Sequence, residues 1–122
     1  MRKRNYKGVK CTKRTVKKCE GVCKTYDPIQ YAYADLLSEA EGIKAFQVNV
    51  LLEGLPEGEY TSDFVIEKSN GGLMVRECVS RKHLAKPMTV KMLDLSREYW
   101  LSHGVTDFGI VIEAEEVADG EK

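Results

Sequence analysis

The sequence predicts an α/β protein built on a mixed α+β sheet, with helices packed on four strands in the chain order α-β-β-β-α-β. Three observations predict it. Apolar residues recur at helical spacing over 29–40 and then alternate over 45–52. Ser69-Asn70-Gly71-Gly72 separates two stretches rich in β-branched and apolar residues, a hairpin signal. A second helical stripe over 88–100 then precedes a last alternating segment, so the fourth strand is reached through a helical crossover and lies parallel to one member of the meander. At 122 residues and 43% hydrophobic composition the chain can fill one core. No window of about eighteen apolar residues exists, and no apolar run follows Met1-Arg2-Lys3-Arg4. The expectation is a soluble, cytoplasmic domain that meets no membrane.

Each element has a local cause. Asp27 can cap a helix whose first position suits Pro28, and Ile29, Ala32, Tyr33, Leu36, Leu37 and Ala40 form its apolar stripe until Gly42 ends it. Phe46, Val48, Val50 and Leu52 mark a strand over 45–52. The turn Gly54-Leu-Pro56-Glu-Gly58 leads to strands over 60–68 and 73–80. Lys86-Pro87 opens the second helix, with Met88, Met92, Leu95 and Tyr99 in one stripe, Leu93 and Trp100 beside it, and His103-Gly104 at its end. Phe108, Ile110 and Ile112 alternate in the strand over 107–113, and an acidic tail completes the chain.

Charge divides the sequence sharply. Residues 1–25 hold ten cations against one acid, Glu20, a net +9; the other 97 residues hold nine cations against eighteen acids, a net −9. The expected organisation is a basic, flexible arm at 1–24, a folded domain at 25–113 and an acidic tail at 114–122. Such an arm suits a polyanion, with Arg2, Lys3, Arg4, Lys7, Lys10, Lys13, Arg14, Lys17 and Lys18 as DNA contacts. The alternative is an arm folded back on its own acidic body. Arg81, Lys82, His83 and Lys86 form a second basic cluster, in which Arg81 and Lys86 are candidate phosphate contacts.

Cys19 and Cys23 have the spacing of a zinc-ligand pair, Cys11 is a candidate third ligand, and Cys78, His83 or His103 a fourth. No second close pair exists, so free thiols are the competing reading. Ser62 and Ser96 lack any His–Asp arrangement that would mark a nucleophile. Tyr33, Tyr99 and Trp100 have helical spacing and read as core.

Two carboxylates stand inside strands, Asp63 in Tyr60-Thr-Ser-Asp63-Phe and Glu77 in Arg76-Glu77-Cys-Val79. Buried there, each needs a partner or a metal, and two on adjacent strands can share magnesium or manganese. The register decides whether they meet. A two-residue Asn70-Gly71 turn makes paired indices sum to 141 and turns the carboxylates to opposite faces. A three-residue turn or a glycine bulge makes the sum even and sets Asp63 beside Glu77.

This order of elements, with Asp63 on the second strand and Glu77 on the third, resembles the PD-(D/E)xK nuclease superfamily, whose core is restriction-endonuclease-like. Together with Arg97-Glu98-Tyr99-Trp100, it is similar to the N-terminal domain of TnsA transposon endonucleases over about residues 25–113. The resemblance implies a mobile-element DNA endonuclease of bacterial origin that works with other transposase subunits. It places the metal on Asp63 and Glu77, and the first-helix ligand on Gln30. The motif lysine falls on Val79, a departure for which Lys82 is the candidate substitute, as Asp35 or Glu39 is for the first-helix acid. The alternative reading is an inactive module of the same fold that binds DNA or a transposase partner. The oligomeric state is not legible.

Overall fold

The structure is a computed structural model describing residues 10–55 and 60–113. The cations Arg2, Lys3, Arg4 and Lys7, the second half of the turn after Gly54 and the acidic tail at 114–122 lie outside the described residues. The elements are β1 (Thr12–Arg14), β2 (Cys23–Thr25), α1 (Pro28–Glu39), β3 (Ile43–Leu51), β4 (Thr61–Lys68), β5 (Leu73–Cys78), a single 3-10 turn (Arg81–His83), α2 (Pro87–Ser102) and β6 (Asp107–Val111). This is a mixed α+β fold. Its four-stranded sheet has the order β3-β4-β5-β6, antiparallel except for the parallel β5–β6 pair, as a helical crossover requires.

The helices cover opposite faces of that sheet. Ala34 and Leu37 of α1 pack with Phe46, Phe64, Ile66 and Cys78, while Met92 and Trp100 of α2 pack with Leu52, Tyr60, Val75 and Val105. Asp27 caps α1 by accepting from the Gln30 N–H, with Pro28 in the first turn. The β4–β5 connection is the three-residue turn Ser69-Asn70-Gly71. Lys68 N–H donates to the Gly72 carbonyl at 2.8 Å, Gly71 N–H to the Lys68 carbonyl at 2.9 Å, and Gly71 holds a φ of +93°, which a glycine adopts at little cost. Paired residues from Glu67↔Leu73 to Phe64↔Arg76 therefore share an even index sum, and this ladder ends one pair before Asp63 and Glu77.

Two sequence expectations change. Residues 10–24 are not a free arm: β1 and β2 form an antiparallel ribbon that closes on the α1 face through buried Val16 and Cys23, and Cys19 bridges to Phe46. One valine and one cysteine suffice because they complete an existing apolar layer rather than building one. Both helical stripes are also rotated. α1 buries Gln30, Ala34 and Leu37 and leaves Ala32 and Leu36 exposed, while α2 buries Thr89, Met92, Leu93, Ser96 and Trp100 and leaves Met88 exposed. In both cases a polar side chain, Gln30 or Ser96, turns inward because a buried partner awaits it.

Candidate functional site

β4 changes its side-chain phase where its carboxylate stands. Phe64 and Ile66 face α1 and Val65 faces α2, so strict alternation would send Asp63 toward α2 and Ser62 toward α1. The reverse occurs. Asp63 Oδ1 accepts from Gln30 Nε2 on α1. Ser62 Oγ accepts from Trp100 Nε1 on α2 at 3.0 Å. Opposite this point on β3, Asn49 takes a φ of +54°, a conformation that asparagine tolerates better than most residues.

The carboxylates then replace backbone acceptors of the β4–β5 ladder. Cys78 N–H donates to Asp63 Oδ2 at 2.7 Å, and Asp63 N–H donates to Glu77 Oε1 at 3.0 Å. Glu77 Oε2 accepts from Ser62 Oγ at 2.8 Å and from Ser96 Oγ at 2.6 Å. Gln30 is held on both ends of its amide: Oε1 accepts from Tyr26 N–H at 2.9 Å, and Nε2 also donates to Asn49 Oδ1 at 2.8 Å. Asn49 in turn donates to the Lys24 carbonyl at 2.8 Å. Gln30, Ser62, Asp63, Glu77 and Ser96 are each 0% exposed. The network thus ties α1, β3, β4, β5 and α2 together across the sheet.

Of the residues the sequence nominates, Gln30, Asp63 and Glu77 share one hydrogen-bond network, but the phase change turns Asp63 toward α1 while Glu77 faces α2, so the two carboxylates do not stand on one face as expected, and Lys82 joins neither. Lys82 lies in the 3-10 turn with its side chain exposed, and no hydrogen bond or ion pair connects it to either carboxylate. Val79 is buried at 4% exposure. Asp35 is turned away to an ion pair with Arg14, and Glu39 is exposed. Gln30 directs its NH2 group, not its oxygen, at Asp63, so it holds the carboxylate as a donor. Oxygen atoms that would face a divalent cation face N–H and O–H donors of the chain itself. Among the described residues, no three His, Cys, Asp or Glu side chains gather in a metal-holding group. Asn49, Ser62, Ser96 and Trp100 as network members escape the sequence reading; a serine inside an otherwise apolar α2 stripe is the one signal that pointed to a buried partner.

The cysteines separate. Cys19 and Cys23 neighbour each other, whereas Cys11 lies against Tyr26. Burial, reinforced by Cys23, pushes the Cys19 thiol up to about 12, and burial also raises Cys23. At the far end of the sheet Lys68 and then Arg76 hold the Asp107 carboxyl below its ordinary range, through ion pairs of 3.0 and 2.9 Å.

The ribbon sorts its cations by role. Arg14 bonds Asp35 at 2.8 Å and the Tyr31 carbonyl at 3.2 Å, with its guanidinium 3.5 Å from the centre of the Tyr31 ring. Lys18 donates to the Ala40 carbonyl at 2.7 Å. These two anchor the ribbon to the body, Arg14 through an acid and Lys18 through a backbone carbonyl. Lys10, Lys13, Lys17 and Lys24 are exposed, and Lys13 stands directly opposite Lys24 in the register. Like charges placed opposite each other disfavour strand pairing unless something neutralises them. Arg81 and Lys86 are exposed before α2, with Arg81 N–H donating to Glu113 at 2.7 Å.

No family model matches this chain. A search of the curated proteins likewise returns no relative.

Proposed function

We propose that the protein is a DNA-binding module on a nuclease-like core whose catalytic position is closed, the β1–β2 ribbon supplying the contact. The observation that carries this reading is the Lys13–Lys24 cross-strand pair, flanked by exposed Lys10 and Lys17. A ribbon that repels itself gains stability when phosphates lie along it, and an antiparallel two-stranded ribbon is slim enough to enter a DNA groove. The carboxylate network supports the second half of the proposal. Asp63 and Glu77 hold β4, β5 and both helices together through hydrogen bonds, and Val79 offers no basic group. Arg81 and Lys86 are secondary phosphate contacts.

The test is the salt dependence of binding to a short duplex. Each lysine that neutralises a phosphate contributes about 0.9 to the slope of log K against log salt. Lys13→Ala with Lys24→Ala should therefore flatten the slope by about 1.8 and weaken binding at low salt. An unchanged slope would remove the ribbon from the interface.

A second reading, cleavage with magnesium or manganese and partner transposase subunits, draws on the convergence of Gln30, Asp63 and Glu77, three of the four motif positions in the resemblance. Plasmid nicking by the wild-type chain with either metal, alone or with such subunits, and its loss in Asp63→Ala, would replace the binding proposal with this one.

A further inference from the structure

A cavity of about 580 Å³ opens where the ribbon meets the start of α1, lined by Lys10, Cys11, Thr12, Thr25, Tyr26, Asp27, Pro28 and Tyr31. Its volume is in the range of pockets that hold small organic groups. Thr25 Oγ1 in its wall is buried (the residue is 3% exposed) and has no hydrogen-bond partner among the described residues. A buried hydroxyl without a partner is costly, and a ligand that bonds it recovers that cost. Tyr31 contributes an aromatic wall that is 40% exposed, and Arg14, which stacks on this ring, does not line the cavity. Lys10 brings a cation to the rim. Asp27, the one carboxylate, already caps α1 by accepting from Gln30 N–H.

We infer that this cavity takes one unpaired nucleotide of the bound DNA. The base packs on Tyr31 and hydrogen-bonds Thr25, and the phosphate meets Lys10. Three features match a nucleotide: a ring for the face of the base, a buried polar group for its edge and a cation for its phosphate. The inference rests on the DNA-binding reading, because the cavity opens at the foot of the same ribbon. It adds that the module prefers DNA carrying a strand end or an unpaired position.

The experiment compares the full chain on a blunt duplex and on the same duplex with a short single-stranded overhang, by fluorescence anisotropy at fixed salt. The overhang should bind about tenfold more tightly, the size of one base–aromatic stack. The readout for variants is the overhang-to-blunt ratio, so a general change in ribbon affinity cancels. Tyr31→Leu should bring that ratio near one. Thr25→Val, nearly isosteric and removing only the hydroxyl, should lower it about threefold. A third arm adds excess deoxymononucleotide: a preference that is competed away assigns the pocket to a nucleotide from either source, and one that persists assigns it to the strand end. Equal binding of blunt and overhang DNA by the wild type would overturn the pocket while leaving the ribbon reading intact. Absence of binding to both would overturn both.

Discussion

Replacing Glu77 by alanine separates a structural carboxylate from a catalytic one. Glu77 receives the Asp63 N–H at 3.0 Å and the Ser62 and Ser96 hydroxyls at 2.8 and 2.6 Å, all in a region with no exposure. Truncation strands three donors. Ser62 and Ser96, whose oxygens are 3.3 Å apart, can recover one bond between themselves, which leaves two donors unsatisfied. At about 1–3 kcal/mol for each buried donor left unmade, the loss is about 4 kcal/mol before any cavity cost. Against a total stability of about 5–15 kcal/mol, and at a few degrees per kcal/mol for a domain of this size, the midpoint should fall by about 15 °C. Glu77→Gln keeps the shape and an acceptor oxygen and should lose about half as much. Urea and thermal unfolding report it through Trp100, the single tryptophan, whose indole N–H is bonded to Ser62 and so sits within the perturbed network. A catalytic carboxylate pair would behave oppositely, because removing one of two neighbouring like charges relieves repulsion. A Glu77→Ala chain as stable as the wild type, or more stable, would refute the structural role.

Other perturbations probe the frame around this network. Asp107 is held low by Lys68 and Arg76; a carboxyl depressed on folding stabilises above its unfolded pKa of about 3.9, and that contribution is lost as pH falls through the lower folded value. Acid titration of stability should therefore lose part of its steepness below about pH 4 in Asp107→Asn, by a modest amount because the side chain is 38% exposed. Gly71→Ala meets no atom within 4 Å, so its cost is backbone strain at φ +93° alone, about 1–2 kcal/mol by urea unfolding. With its pKa at about 12, Cys19 should alkylate at neutral pH on the order of a thousandfold more slowly than an unfolded thiol; rapid labelling in the folded chain would contradict its burial.

Periodicity carried most of the fold. α1, β3, β4, β5, α2 and β6 lie within a few residues of where alternation, caps and glycines place them, because each of those signals acts locally. The ribbon was invisible for the opposite reason: β1 and β2 are three residues each, and only their contact with the α1 face makes Val16 and Cys23 core. At the site, the register was legible as a choice between two sums, and the glycine at 71 selects the even one, yet the common face that this register implied for Asp63 and Glu77 was undone. The alternation reversal at Ser62–Asp63 was not legible. It depends on Gln30, Asn49, Ser96 and Trp100 arriving from four separate segments, and no window of sequence contains them.

That reversal also explains why the core holds two carboxylates. Once Asp63 turns toward α1, the β4–β5 ladder loses its regular partners at this point, and Cys78 N–H and Asp63 N–H both need acceptors. An alanine or a valine at either position cannot accept, and one amide in place of one carboxylate brings a donor into a space already crowded with donors. Two carboxylates are acceptors on every oxygen, so they alone satisfy five N–H and O–H groups drawn from α1, β4, β5 and α2. The pair is thus fixed by hydrogen-bond stoichiometry. In the proposed function, binding falls to the exposed lysines of the ribbon region, Lys10, Lys13, Lys17 and Lys24.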